Sequence, residues 1–230
     1  MIYAALHLRC MYSDFVTYGS DCRPIESDAG ESVSDDVYVL AIKTTGDDDP
    51  SKDIVVDIGI ADADLGKGTV AKVFSSTLGY EVDEWDECYS QAPVFRETEI
   101  TADMIRESMP AKRVMEEVRR LVRGKVVTSY DIGFNLRMFL YQEPWNLKGT
   151  FIQANDILHA ATRACRMPTN VFGMDYGYPQ LYYAYGMLTE GDPAGVGEKP
   201  THRAYQEAAV AAYVMVSLYR DGLYHPFRKI

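Results

Sequence analysis

The sequence predicts an α/β fold in which a mixed β-sheet is flanked by helices. Two short runs rich in β-branched residues, 37–42 (VYVLAI) and 54–61 (IVVDIGIA), are separated by 44–53, whose Gly, Pro and Asp residues are typical of a turn. These runs predict two antiparallel strands. Farther along, strand-like and helix-like segments alternate, which favours parallel strands connected by helices.

The alternating segments follow one another closely in the second half of the chain. Residues 125–130 (KVVTSY) predict a fourth strand and 134–140 a helix, and 150–156 (TFIQAND) predict a fifth strand before a helix over 157–165. Residues 70–75 offer a third strand between these two groups. We therefore expect the late strands to lie parallel to the first, with helices on the faces of the sheet.

Helix signals mark three further segments. Thr101 is suited to cap a short helix over 101–108. A second helix is expected to begin near Pro110, because proline is tolerated in a first helical turn, and to end at Gly124. Four apolar residues of that helix fall on one face at helical spacing: Val114, Val118, Leu121 and Val122. The last helix, 202–219, is apolar on nearly all sides, which predicts that it is buried.

Length and composition favour one domain over two. A chain of 230 residues with 47% hydrophobic content can bury one substantial core. No apolar run approaches the roughly 20 residues of a membrane span, and the first residues lack a secretory signal, so we expect a cytoplasmic protein with no membrane partner. The four cysteines are scattered without the spacing of a zinc site or disulfide framework: Cys10, Cys22, Cys88 and Cys165.

Acidic residues are concentrated in the first part of this acidic protein. The net charge is -11; residues 1–100 hold 7 Lys and Arg against 21 Asp and Glu, and residues 101–230 hold 16 against 13. An acidic surface repels the phosphate backbone at long range, so any nucleic-acid groove must be local. Most of the excess acid is explained as a solvated surface that promotes solubility.

The first 36 residues are predicted to be an N-terminal extension, partly flexible. Residues 23–36 are rich in Ser, Asp, Glu and Gly and poor in apolar residues, as expected of a mobile linker. The domain proper is expected over 37–230. The sequence leaves open whether the extension is a tail or packs on this domain.

A strand followed by AIKTTG, residues 41–46, is the most informative motif. It resembles the first motif, D-x-E-T-T-G, of the DnaQ-like, DEDDh-type 3'-5' exonucleases. Ala41 stands in the place of the motif's Asp and Lys43 in the place of its Glu, whereas Thr44, Thr45 and Gly46 are kept. The sequence thus keeps the residues typical of the fold and lacks the two carboxylates of this motif.

Two further motifs of that family follow in the correct order. Residues 124–140 (GKVVTSYDIGFNLRMFL) resemble the second motif, with Asn135 in the place of Asp. The run HRAYQEA resembles the third motif, H-x-A-x-x-D, with His202 kept and Glu207 in the place of Asp. The resemblance covers about residues 37–225 and implies a ribonuclease H-like fold with sheet order 3-2-1-4-5 and an antiparallel second strand.

The resemblance implies a two-metal phosphodiesterase site, but its ligands are altered. Four carboxylates would hold two magnesium ions, with the histidine as general base. A Lys ammonium about 4 Å from a divalent ion is repelled by roughly 8 kcal/mol at an effective dielectric of about 20. We therefore expect no metal and no other cofactor; Mg or Mn would be required only if the site is rearranged and active. Asp57 and Asp131 are the acids that could move in, although structural roles are favoured for both.

Lys43 has two possible roles in the altered site. It could form an ion pair with Glu207, which we favour because buried charges need partners, or it could contact phosphate together with Arg203. Thr44, Thr45 and Phe134 are further candidate nucleic-acid contacts. His202 and Glu207 are interpreted as remnants of the catalytic set.

A cluster of tyrosines is compatible with base stacking, although a core edge or a protein contact surface is favoured. Its members are Tyr176, Tyr178, Tyr182, Tyr183 and Tyr185.

The favoured hypothesis is a pseudoenzyme, an exonuclease-fold module that binds or scaffolds without hydrolysis. Its partner would be a protein or, with weak affinity, a single-stranded nucleic-acid 3' end. The alternative is an active metal-dependent 3'-5' exonuclease with a rearranged site. The oligomeric state is left open.

Overall fold

A five-stranded mixed sheet organises the part of the chain that the computed structural model describes, residues 36–47, 49–80, 89 and 91–228. The strand order is β3-β2-β1-β4-β5, as predicted. The strands are β1 Asp36–Thr44, β2 Val55–Asp64, β3 Thr69–Thr77, β4 Val126–Ser129 and β5 Ile152–Gln153. The predicted extension over 1–36 lies outside the described residues except for Asp36, as do Cys10, Cys22 and Cys88.

Strand directions agree with the prediction. β1 pairs antiparallel with β2, and β2 antiparallel with β3. β4 pairs parallel with β1, and β5 parallel with β4. The fifth strand is shorter than the predicted 150–156, because only two of its residues pair with β4.

Seven helices lie in the described part of the chain: α1 Val94–Glu97, α2 Ala102–Arg106, α3 Ala111–Val122, α4 Gly133–Leu140, α5 Ile157–Cys165, α6 Leu181–Leu188 and α7 Ala204–Arg220. The Thr101 side chain accepts a hydrogen bond from the Met104 N–H, which confirms the predicted cap. Asp156 caps α5 in the same way through the Leu158 N–H. None of the described helices combines the length and apolar character that crossing a membrane requires.

Two apolar layers cover the faces of the sheet. Alternate residues of β1 point to opposite faces, so Val37, Val39 and Ala41 pack with α5, α6 and α7. Leu40 and Ile42 pack with α3 and α4 on the other face. The sheet thus places the carboxyl end of β1 between α4 on one face and α7 on the other.

The start of α7 lies directly against β2 at Gly59. A Cβ at this glycine would lie 2.3 Å from the Cα and N of Tyr205 and 2.6 Å from the carbonyl carbon of Ala204. Real Cβ atoms do not approach backbone this closely, so only glycine allows α7 to begin here. This contact fixes where the third motif meets the sheet.

We expect Gly59→Ala to destabilise the fold by about 3 kcal/mol or more, because the new methyl group would push α7 off β2. Urea denaturation would measure the loss. Gly186→Ala on α6 is a matched control, because nothing lies within 4 Å of its Cβ position. That change should stabilise by up to about 1 kcal/mol through helix propensity, and an equal effect of the two variants would contradict the close-approach explanation.

Candidate functional site

The altered motifs meet around one cavity of about 270 Å³ at the carboxyl end of β1. Its lining comprises Ala41, Tyr130, Asn135, Gln180, Leu181, Tyr182, His202 and Glu207. Four of the five motif positions singled out from the sequence therefore line one space. The fifth, Lys43, contacts the cavity residue Glu207.

Lys43 and Glu207 form the ion pair that the sequence predicted. The Lys43 Nζ lies 2.5 Å from Glu207 Oε1, and each side chain is about one fifth exposed, 20% and 19%. The lysine comes from β1 and the glutamate from the first turn of α7, so the pair joins the sheet to the helix. Because the two charges cancel and Ala41 and Asn135 carry none, these four positions are electrically neutral.

Asn135 is used as a structural connector. It is 8% exposed; its Oδ1 accepts from the Ile42 N–H at 3.0 Å, and its Nδ2 donates to the Asp131 carbonyl at 3.0 Å. The helix that carries it is π-helical, with the Tyr141 N–H bonded to the Leu136 carbonyl five residues earlier at 2.7 Å. The amide thus links β1 to α4, and its oxygen already has a partner.

Asp131 makes the turn contact predicted for it. Its φ is +107°, and its Oδ1 accepts from the Phe134 N–H at 2.9 Å, which stabilises the turn into α4. Burial raises the pKa of this carboxyl, while backbone hydrogen bonds from Phe134 and Gly133 oppose the rise. The carboxylate is therefore engaged in shaping the loop.

A fully buried carboxylate, that of Asp57, anchors the amino end of α7. It accepts from Arg203 Nε at 2.8 Å, from a terminal nitrogen of the same guanidinium at 2.9 Å, and from the Ala204 N–H at 2.9 Å. Hydrogen bonding to Asp57 raises the pKa of Arg203. The favoured structural role of Asp57 is present, and the Arg203 guanidinium, a candidate phosphate contact, is held in this pair.

His202 lies at the mouth of the cavity in the left-handed region, with φ +52°. Its side chain is 39% exposed and its Nδ1 lies 3.9 Å from Glu207 Oε1. The Tyr182 ring meets the imidazole edge-on, with centroids 5.0 Å apart. The Gln206 Oε1 accepts from the His202 N–H at 3.2 Å and from the Tyr182 hydroxyl at 3.1 Å, so it fixes both residues.

The remaining candidate contacts are spread around the end of β1. The Thr45 hydroxyl is buried; it accepts from the Ile54 N–H at 3.0 Å and donates to Asp53 at 3.4 Å, so it closes the hairpin. Thr44 is half-buried at the end of the strand. Phe134 is half-buried and packs edge-on against Phe139.

Sequence reasoning missed Gln206, Tyr130 and Gln180. Gln206 stands three residues after the Arg203 cap of α7, but a capping box requires Ser or Thr at the cap, so the sequence carries no signal for its role. Tyr130 lines the cavity and donates to the Pro179 carbonyl at 2.8 Å. Gln180 lies just before α6, and no local pattern marks either of these two residues.

The residues of this site do not fit a divalent cation. The cavity carboxylate, Glu207, is neutralised by Lys43, Ala41 has no ligand atom, and the Asn135 oxygen accepts a backbone hydrogen bond. Magnesium requires several hard oxygen ligands. Within the described residues, no group of three or more His, Cys, Asp or Glu side chains has the arrangement of a metal site.

The chain is similar in fold to several solved exonuclease structures. The nuclease domain of 3'hExo, a DEDDh family member bound to rAMP, matches with a TM-score of 0.56 at 13% identity over 86% of this chain and 98% of that one. A 3'-exonuclease in a structure of 3'-end specific recognition of a histone mRNA stem-loop matches with a TM-score of 0.55 at 12% identity over 84% of each chain. E. coli exonuclease I in complex with a dA16 oligonucleotide matches with a TM-score of 0.56 at 14% identity.

The last match covers 80% of this chain but 41% of exonuclease I. No protein-family model matches the chain, and no curated protein does. At these identities the likeness shows the fold. The chain has the ribonuclease H-like fold that the resemblance implied, and it shares this fold with the solved exonucleases.

We expect a double-mutant cycle to show that Lys43 and Glu207 depend on each other. Lys43→Met and Glu207→Gln should each destabilise by roughly 2 kcal/mol, because each leaves a mostly buried charge unpaired. The double variant should lose less than the sum, with a coupling of about 1–2 kcal/mol in urea denaturation. The exposed pair Arg120 and Glu117 is the control and should couple by less than about 0.5 kcal/mol. Additive losses at Lys43 and Glu207 would contradict a functional ion pair.

Asp131→Asn should be more stable than the original chain at neutral pH. Because burial raises the pKa of Asp131 above its unfolded value, the ionised carboxylate costs stability above that raised pKa, and acidification removes the cost. The advantage of Asn should therefore shrink as the pH falls, as thermal melts across the acidic range would measure. Asp131→Ala is the control: it removes the same charge but also the acceptor of the Phe134 N–H, so it should be about 1 kcal/mol less stable than Asp131→Asn at every pH. A pH-independent gain from Asn would contradict the burial explanation.

Proposed function

We propose that this exonuclease-fold protein binds the 3' end of a single nucleic-acid strand without hydrolysing it. The observation that carries the proposal is the Lys43 ammonium on Glu207, in the place where the resemblance implies metal ligands. A lysine side chain that already neutralises the cavity carboxylate leaves little attraction for a divalent cation. The fold is kept, and the groups that would support hydrolysis are replaced.

Charge neutrality favours binding of a phosphate in the absence of metal. Four clustered carboxylates without their cations would repel a phosphodiester, whereas Ala41, Lys43, Asn135 and Glu207 sum to zero. The cavity also offers a tyrosine ring, Tyr182, and the imidazole of His202 beside it. Aromatic rings stack on bases of any sequence, so these residues suit a strand terminus.

The structural neighbours give independent support for this ligand class. One neighbour was solved in specific recognition of the 3' end of an RNA stem-loop, and another in complex with a dA16 oligonucleotide. Those ligands are properties of the neighbours. Their transfer to this chain rests on the shared fold and on the cavity at the same motifs.

The alternative function is a metal-dependent 3'-5' exonuclease with a rearranged site. It is favoured by one observation, the retention of His202 with its Nδ1 3.9 Å from Glu207 Oε1. Such a site would need replacement ligands. Asp57 is held by Arg203 and Ala204, and Asp131 by Phe134, so both acids would first have to leave established hydrogen bonds.

The sequence also predicted binding to a protein partner. Copurification distinguishes this possibility from binding to a nucleic-acid strand. Affinity purification of the chain with and without nuclease treatment distinguishes direct protein contacts from tethering through nucleic acid. A partner retained after nuclease treatment, together with no strand binding by the pure protein, would favour a scaffolding module over the proposal.

The purified protein should retain a single-stranded oligonucleotide and leave its length unchanged in magnesium, in manganese and in chelator. Denaturing gels would measure the length, and fluorescence anisotropy the binding. Trimming that is abolished by chelator and by Glu207→Gln would overturn the proposal and establish the alternative.

Restoring the family's carboxylates should create a metal site and nuclease activity. The variant Ala41→Asp/Lys43→Glu/Asn135→Asp/Glu207→Asp should bind manganese and shorten strands from the 3' end. The same variant with Lys43 kept is the matched control, and we expect it to remain inactive because the ammonium still repels the metal. Metal binding can be followed by calorimetry independently of activity. Equal metal affinity of the two variants would refute the role assigned to Lys43.

A further inference from the structure

A second cavity of about 300 Å³ lies between α5 and the C-terminal segment that follows α7. The lining residues that matter here are Asp156, His159, Arg163, Tyr224, His225 and Arg228. Two of these side chains are arginines and two are histidines. None of the four lies in the three motifs quoted above.

The charge of this cavity is opposite to that of the chain as a whole. Arg163 and Arg228 are exposed, and neither guanidinium has an acidic partner within the described residues. The acid in the lining, Asp156, directs one carboxylate oxygen to the Leu158 N–H at 2.8 Å and the other to the Ile132 N–H at 2.9 Å. Two unpaired arginines therefore remain in a protein of net charge -11.

Hydrogen bonds from Asn155 hold the C-terminal side of the cavity in place. The Asn155 Nδ2 donates to the carbonyls of His225 at 2.8 Å and Arg228 at 3.0 Å. The buried Tyr224 donates its hydroxyl to the Asn155 carbonyl at 2.9 Å. The His225 Nδ1 accepts from the N–H groups of Phe227 and Arg228, both at 3.1 Å. The backbone that presents Arg228 is thus fixed against the start of α5.

One short segment, residues 178–181, joins this cavity to the site cavity. Tyr178 stacks on His159 of the second cavity, with centroids 6.2 Å apart and ring planes at 28°. The next residue, Pro179, accepts through its carbonyl from Tyr130, which lines the site cavity. Gln180 and Leu181 line the site cavity as well. Tyr178 is 42% exposed, so part of its ring beside His159 is accessible to a ligand.

We infer that the cavity lined by Arg163 and Arg228 binds a phosphate group, supplied by the backbone of the strand whose 3' end occupies the site cavity. Each guanidinium group presents several N–H donors in a fixed plane. These donors match the oxygens of a phosphate, whereas a halide or an apolar molecule offers no such set of acceptors. The strand source rests on the proposed function. A free phosphate would share the chemistry, and the experiment below separates the two sources.

The test compares Arg163→Gln/Arg228→Gln with Arg113→Gln/Arg123→Gln in the full chain. The control removes the same amount of charge at two exposed arginines, one on α3 and one just after it. Helix α3 packs on the face of the sheet opposite to α5. Anisotropy of 5'-labelled oligonucleotides of about 3 and about 12 nucleotides is measured in chelator. Inorganic phosphate is titrated separately by calorimetry. Thermal melts confirm that all variants fold.

The inference predicts that the Arg163/Arg228 variant binds the longer oligonucleotide roughly tenfold more weakly than the control, with the shorter one unaffected. The slope of log affinity against log salt should fall by about 0.7, because the variant no longer neutralises one phosphate of the single strand. Equal binding of both probes by variant and control overturns the inference and leaves the proposed function intact. If the unaltered chain binds neither oligonucleotide, the proposed function is wrong. If it then binds inorganic phosphate and the Arg163/Arg228 variant does not, the cavity is a site for free phosphate.

Discussion

The buried carboxylate of Asp57 holds together the parts on which the site depends. It accepts hydrogen bonds from the Arg203 guanidinium and from the Ala204 N–H. These bonds place the first turn of α7 against β2 beside Gly59. A charge with no exposed surface persists only when it is paired and hydrogen-bonded, so the three donors are required together. His202 and Glu207 acquire their positions from this anchor, since both are within a few residues of Arg203. The site is therefore built on a salt bridge between β2 and the start of α7, outside the four altered positions.

A second ion pair balances the charge of the site without a bound cation. Lys43 contributes one positive charge from β1 and Glu207 one negative charge from α7. The balance is internal to the protein, so the cavity needs no bound ion to be compatible with the fold. Asn135 completes this arrangement, because its amide satisfies the Ile42 N–H at the end of β1.

The fold could be predicted from the sequence much further than the site. Hydrophobic periodicity, helix signals and three motifs in order gave the strand order, most of the helix positions and the cap at Thr101. The pairing of Lys43 with Glu207 followed from their motif positions together with their opposite charges. Hydrogen bonds over long sequence separations carry no local pattern, which explains why the connection from Asn135 to Ile42 and the cavity at Arg228 were not foreseen.

The Lys43–Glu207 contact also constrains the order in which substitutions can accumulate at this site. If the lysine is replaced first, Glu207 is left without a partner in a partly enclosed space. If the glutamate is replaced first, the Lys43 ammonium is left without a partner. Adding an aspartate at Ala41 before either change brings another negative charge to a cavity with no cation to receive it. A change from the present residues to a set of four carboxylates thus passes through unfavourable single-substitution intermediates.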